Sequence, residues 1–237
     1  MRKNTAKTGA ALLFALASAG SAQEPTPQAV YEEQFGRPKR APIIPEAVRT
    51  MVAEATPDRL VVRRIDGSTV SRNLDYIDLS DFATYQDGRY LGYVYSGHEA
   101  DGYDLIDRRS DGDPFIETGV RPAFSPDGRW FASAEMSEAA FGNLNGIAVW
   151  EVLPDRTVRR FFTDALPRSL DWRVDGWVRR DCLALSSLET EWEPPAGLDW
   201  EQALRSAPRV RYTLTVGDEI VLTPSYDRPP CSEEPAP

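Results

Sequence analysis

The stretch Arg121-Pro122-Ala123-Phe124-Ser125-Pro126-Asp127-Gly128-Arg129-Trp130-Phe131-Ala132-Ser133 decides the fold. A short apolar run meets a Ser-Pro-Asp-Gly turn signal, and a second apolar run follows at once. Asp-Gly marks a turn because glycine accepts positive φ and aspartate bonds its own backbone. The phrase recurs as Thr84-Tyr85-Gln86-Asp87-Gly88-Arg89-Tyr90 and as Trp172-Arg173-Val174-Asp175-Gly176-Trp177. The Asp-Gly pairs begin at 87, 127 and 175, so they lie 40 and 48 residues apart. Repeats of that length mark stacked or radially repeated β units.

The copies align beyond the turn. Tyr90-Leu91-Gly92-Tyr93-Val94-Tyr95 and Trp130-Phe131-Ala132-Ser133-Ala134-Glu135 each open on an aromatic residue, with a small residue two positions on. Positions two apart share a strand face. One face therefore carries Tyr90, Gly92 and Val94, or Trp130, Ala132 and Ala134, which suits sheets that converge closely. In the looser third copy Trp177 leads, and Cys182-Leu183-Ala184-Leu185 is the strand. Further strands follow at 103–107, at 147–152 after Asn145-Gly146, and at 210–216, which Gly217-Asp218 joins to 219–223. The pattern predicts an all-β fold of antiparallel meanders, three to four strands each.

Residues 121–133, followed by Ile147-Ala148-Val149-Trp150-Glu151-Val152, resemble a WD40-like β-propeller repeat of the kind found in periplasmic TolB-type (PD40) proteins. Residues 80–107 match less well, because Gln86 stands where the motif has proline, and residues 170–223 match weakly. The resemblance implies one propeller blade per unit and a role in protein–protein contact; it implies no reaction. The chain after Leu60 holds about four units of roughly 40–45 residues. A small closed ring, an open arc and a β-sandwich of propeller-like meanders all fit that length.

Residues 1–22 have the form of a signal peptide. Arg2, Lys3 and Lys7 precede the apolar run Ala10-Ala11-Leu12-Leu13-Phe14-Ala15-Leu16-Ala17, and Gly20-Ser21-Ala22 offers the small residues a peptidase requires. The expected location is periplasmic or secreted after cleavage near Ala22. No cysteine follows the apolar run, and no later segment reaches the roughly 20 apolar residues that span a bilayer, so no lipid anchor or stable membrane insertion is expected. Cleavage leaves 24 basic residues against 37 acidic ones, a net charge of −13. Such a surface repels nucleic acid, which is excluded as a partner. Cys182 and Cys231 are a lone pair, and in an oxidising compartment a lone pair forms one disulfide. It would pin a Pro-rich tail at 227–237 to the third repeat. The β-repeat domain spans 58–226. Ahead of it, 23–57 is a Pro-rich arm with a short helix at 46–55, and Pro25, Pro27, Pro38, Pro42 and Pro45 argue against regular structure before that helix.

Candidate chemistry is sparse. His98, the only histidine, lies in Ser96-Gly97-His98-Glu99. A triad with Ser96 lacks the Gly-x-Ser-x-Gly elbow, so His98 is expected in a surface turn. Asp101, Asp104, Asp107, Asp111 and Asp113 lack calcium-loop spacing and are interrupted by Arg108 and Arg109, which predicts a solvated hairpin tip. Arg156, Arg159, Arg160, Arg168, Arg179 and Arg180 could receive an acidic partner, though in an acidic chain internal pairing is favoured. The third unit carries an insertion, 189–204, with Trp192 and Trp200; Asp199 could cap a helical turn reaching about Arg205. Insertions of this kind often form the binding face. The two indoles would then anchor a partner; otherwise they fold back as a lid, since exposed tryptophan is costly.

These features together predict an exported cell-envelope protein that binds a protein partner and has no assigned catalytic residue, metal or cofactor. The alternative is a hydrolase or lyase with a carboxylate or metal site on one rim of the β-repeat domain. Without calcium-loop spacing or a His/Cys cluster, added calcium or EDTA should leave the melting temperature unchanged; a shift of several degrees with EDTA would contradict this and favour the metal-enzyme alternative.

Overall fold

A computed structural model describes residues 26–97, 101–136, 144–166, 171–189, 192–193, 195–197, 199–225 and 231. The described strands form four antiparallel meanders. The first sheet holds β1 (Val52–Ala55), β2 (Arg59–Arg63) and β3 (Thr69–Asn73). The second holds β4 (Ile77–Tyr85), β5 (Tyr90–Gly97), β6 (Asp101–Asp107) and β7 (Phe115–Glu117). The third holds β8 (Ala123–Phe124), β9 (Trp130–Glu135), β10 (Gly146–Val152) and β11 (Thr157–Thr163). The fourth holds β12 (Arg173–Arg179), β13 (Cys182–Leu188), β14 (Arg209–Val216) and β15 (Ile220–Pro224). In each sheet sequence neighbours are hydrogen-bonded neighbours, as the repeat pattern predicts.

Three of the middle strands are buried on both faces: five of six residues in β9, six of seven in β10 and all seven in β13. Such strands need a cover on each side. Leu60 and Val62 of the first sheet pack with Leu91, Tyr93 and Ile106 of the second. Tyr90, Tyr103 and Leu105 of the second meet Phe131, Ala148 and Trp150 of the third. Trp130, Ala132 and Val149 of the third meet Leu183, Leu185 and Leu214 of the fourth. Alternate residues of β9 thus serve different cores. Among the described residues no hydrophobic core joins the fourth sheet to the first.

The small residues have the expected role. Gly92 lies beneath the ring of Tyr103, and a Cβ there would fall 2.4 Å from the tyrosine hydroxyl. A buried ion pair ties the second sheet to the third. Arg89 donates to Asp107 from Nε at 3.0 Å and from Nη2 at 2.8 Å. Thr157 of β11 donates to the same carboxylate at 2.8 Å and shares a 2.8 Å hydrogen bond with the Tyr90 hydroxyl. Removing one member of such a pair typically costs about 3–5 kcal/mol, because the other charge is left buried.

Three local expectations are corrected. Asp175-Gly176 is not a turn but a bulge inside β12, where Gly176 takes φ 140°; the turn falls later, at 180–181. The third Asp-Gly pair is therefore not equivalent in place to the first two, and β12 carries register shifts on either side of Gly176 and Trp177. The helix expected at 46–55 is a 3-10 helix over Glu46–Met51 that passes directly into β1. Pro57 ends no helix; it lies in the turn from β1 to β2, where its missing N–H costs nothing. The Pro-rich arm contains α1 (Pro27–Phe35), capped by the Thr26 side chain and closed by Gly36 at φ 62°. Proline at the first helical position gives up only an N–H that would be unpaired anyway. Tyr31 of this helix is fully buried and donates to Asp78.

Cys182 and Cys231 are bridged, with Cα atoms 6.0 Å apart. The Cys231 amide donates to Thr213, and Arg179 donates to the Cys231 carbonyl. The bond closes a loop of 49 residues, which the chain-entropy account values at about 4 kcal/mol. Cys231→Ser should therefore lower the melting temperature by several degrees while far-UV circular dichroism keeps its β signal. An unchanged melting temperature would show that the tail adds no stability.

Candidate functional site

The Ser-Pro-Asp-Gly turn builds an open polar feature. Asp127 accepts from Ser125 Oγ at 2.7 Å and from the Arg129 amide at 3.1 Å, and the serine bond holds its carboxyl below the usual range. The turn projects Arg129, whose guanidinium stacks over Trp130 at 5.3 Å and donates to Glu151 at 2.9 Å. Arg160 of β11 binds the other oxygen of Glu151 at 2.8 Å. Hydrogen bonds from Arg129, then Arg160, hold the Glu151 carboxyl low, despite its burial. These residues, with Asp218 and Ile220, line a cleft of about 330 Å³ between the third and fourth sheets. A second cleft of about 340 Å³ adjoins it, extending to Arg180 and Asp181.

A third cleft, about 430 Å³, lies on the opposite side of β11 between the second and third sheets; Arg72, Phe115, Glu117, Trp150 and Arg159 line it. Arg159 is exposed and stacks over Phe162 at 5.1 Å. Phe162 is itself 41% exposed.

Arg129 and Glu151 repeat Arg89 and Asp107. In each of these two units an arginine follows the Asp-Gly turn, an aromatic residue follows the arginine, and an acid stands opposite that aromatic on the next strand. Tyr90 pairs in register with Asp107, and Trp130 with Glu151. The Arg89 side chain is 6% exposed and that of Arg129 62%. One version is therefore a buried joint and the other faces solvent. Sequence reasoning missed this cassette although its signal was present: an Arg-aromatic pair after the first two Asp-Gly turns, with an acid 18 or 22 residues on.

Asp104 forms a separate, buried cluster. It is fully buried in β6, accepts from Arg72 at 3.1 Å and lies in register with Tyr93 and Glu117. Burial pushes its carboxyl up to about 6; Arg72 opposes this and the Glu117 charge adds to it. Asp104 Oδ1 and the Tyr95 hydroxyl, both buried, have no hydrogen-bond partner among the described residues. The acidic run is thus not simply a solvated tip: Asp104 and Asp107 are wholly buried, because β6 is a middle strand and each carboxylate has an arginine across from it.

The other expected residues fall out as follows. Arg160 and Arg179 pair internally, with Glu151 and Asp181, whereas Arg156 and Arg180 are exposed. His98, Arg168 and residues 1–22 lie outside the described residues. Asp199 caps α2 (Trp200–Ser206), accepting from the Gln202 amide at 2.9 Å. Ala203 of α2 is buried and Trp192 is half-buried. Among the described residues, no group of three His, Cys, Asp or Glu could hold a metal ion, and no helix is long and apolar enough to cross a membrane.

No protein-family model matches the chain, and no curated protein matches it. Solved structures do. A candidate 6-phosphogluconolactonase from Bacteroides fragilis aligns with a TM-score of 0.33 and 11% identity, over 70% of this chain and 50% of that one. A prolyl endopeptidase aligns with a TM-score of 0.36 and 14% identity, over 84% and 31%. A puromycin-hydrolyzing peptidase from Mycobacterium tuberculosis aligns with a TM-score of 0.30 and 17% identity, over 71% and 29%. The chain spans half or less of the length of each, and at these TM-scores none bears on what it does. The four all-β repeat units fit a propeller-type fold in general.

The buried carboxyl supplies a pH test. Its folded pKa, about 6, lies above the unfolded value of about 3.9. Ionised Asp104 therefore costs stability at neutral pH, and that cost fades as pH falls from about 6 toward 4. Asp104→Asn should flatten the stability–pH curve in this window, measured by urea denaturation. An unaltered slope there would contradict the assignment.

Proposed function

We propose that the protein is an exported cell-envelope module with WD40-like, TolB-type repeats that binds a protein partner. One observation carries the reading: two carboxylates of the clefts between the third and fourth sheets, Glu151 and Asp127, are held in the ionised form. Glu151 and Asp127 are held low, and their neighbours are arginines. Such groups neither give nor take protons near neutral pH, as general acid–base catalysis requires. They can still meet the charged side chains of another protein. The disulfide and the signal-peptide form of residues 1–22 support export.

A hydrolase or lyase is the second reading, and Asp104 favours it. A carboxyl raised to about 6 beside an unpartnered tyrosine hydroxyl is a pattern seen in active sites. Its full burial behind Arg72 counts against access by a substrate.

In the binding reading Trp192 and Trp200 of the insertion anchor the partner, since tryptophan dominates interface hot spots. The partner is isolated by cross-linking in an envelope extract and its affinity is then measured with purified components. Changing both tryptophans to alanine should weaken affinity about tenfold or more, equal to ~1.4 kcal/mol, with little change in melting temperature. A destabilised variant that keeps its affinity in the cold would instead make the insertion a lid.

A further inference from the structure

We infer that the outer edge of β11 accepts an extended acidic segment of a partner protein as an added strand. The inference rests on the binding-module reading and names the chemistry of the partner. β11 ends the order β11-β10-β9-β8, so one row of its backbone groups faces away from the sheet. It spans seven residues, whereas β7 spans three and β15 ends in Pro224, which has no N–H to donate; the other long end strands, β4 and β12, lie against the 3-10 helix and against β8 and β9. An unpaired edge of this length is a template for another strand.

Side chains alternate between the two faces of a strand. A strand added beside β11 would therefore send successive side chains toward opposite faces of the third sheet. Each face has a cleft there: one lined by Arg159, Trp150 and Phe115, the other by Arg160, Phe161 and Ile220.

Charge selects the occupant. The chain carries a formal charge of −10, yet Arg156, Arg159 and Arg160 gather along this one edge. Arg160 is shared with Glu151, while Arg159 stacks on Phe162 and has no carboxylate partner among the described residues. Asp113 and Glu117 lie in the same cleft as Arg159, but the edge itself is basic. Arg160 is the extra residue of a bulge opposite Val149 and Trp150. Edge arginines discourage pairing with a second copy, which would set like charges against each other. An acidic strand meets no such penalty.

The probe is a dye-labelled, acetylated eight-residue peptide alternating Glu and Thr, with binding to the full chain followed by fluorescence anisotropy at about 50 mM salt. It should bind, and its Lys–Thr counterpart should not. Two versions are N-methylated at either the odd or the even amides. One should lose affinity about tenfold or more and the other should keep it, because only one edge of the peptide bonds β11. Arg159→Glu should weaken binding about fivefold, with Arg159→Gln intermediate; the side chain is exposed, so both variants should fold. No binding of the acidic peptide, equal affinity of the two N-methylated forms, or indifference to both Arg159 variants would overturn the inference. Such a failure leaves the binding-module reading to the tryptophan experiment, which does not involve β11.

Discussion

Everything in this fold follows from middle strands that cannot tolerate water on either face. In β9, Trp130 faces one neighbouring sheet and Phe131 the other, and both are buried. A single sheet of this composition would expose an apolar surface whichever way it turned. Stacking solves the problem, and each sheet becomes a condition for the next. The second and third sheets depend on neighbours on both sides. The first and fourth contribute only one inner face each among the described cores. The buried Arg89–Asp107 pair adds direction to this nonpolar stack, since Thr157 and Tyr90 must be in register for the carboxylate to be satisfied.

The same logic separates structure from function. In the second unit the Arg-aromatic-acid cassette is closed, with Thr157 of the third sheet bonded to its acid. Where it reaches the rim, as at Arg129 and Glu151, it is open and shares its acid with β11. Burial is spent in the middle of each meander, which leaves the outermost strands and the clefts beside them as accessible polar surface. Surface of that kind recognises another macromolecule more readily than it encloses a small substrate, whose sites are mostly apolar and concave.

Much of this was legible in the sequence. The turn spacing gave the meanders, the pair Cys182 and Cys231 gave the bridge, and Asp199 gave the cap of α2. What was not legible depends on tertiary context. Asp175-Gly176 is as good a turn signal as Asp127-Gly128, yet pairing with β13 takes it into a strand. Pro27 reads as a breaker by its type alone, but Thr26 caps the helix and places Pro27 at its first position. Asp104 and Asp107 looked solvated because their arginine partners are contributed by other strands, Arg72 from β3 and Arg89 from the turn before β5. A carboxylate's burial is set by what lies across from it, and local charge density does not record that.

Amide hydrogen exchange on the native full chain tests the central claim, that the middle strands hold the stack while the outer edges stay open. Amides of β5, β9, β10 and β13 should exchange last and together, through global unfolding. Outward-facing amides of β11 should exchange orders of magnitude faster than those of β10 beside them. Protection of the β11 edge equal to that of β10, or separate slow phases for each sheet, would contradict the account.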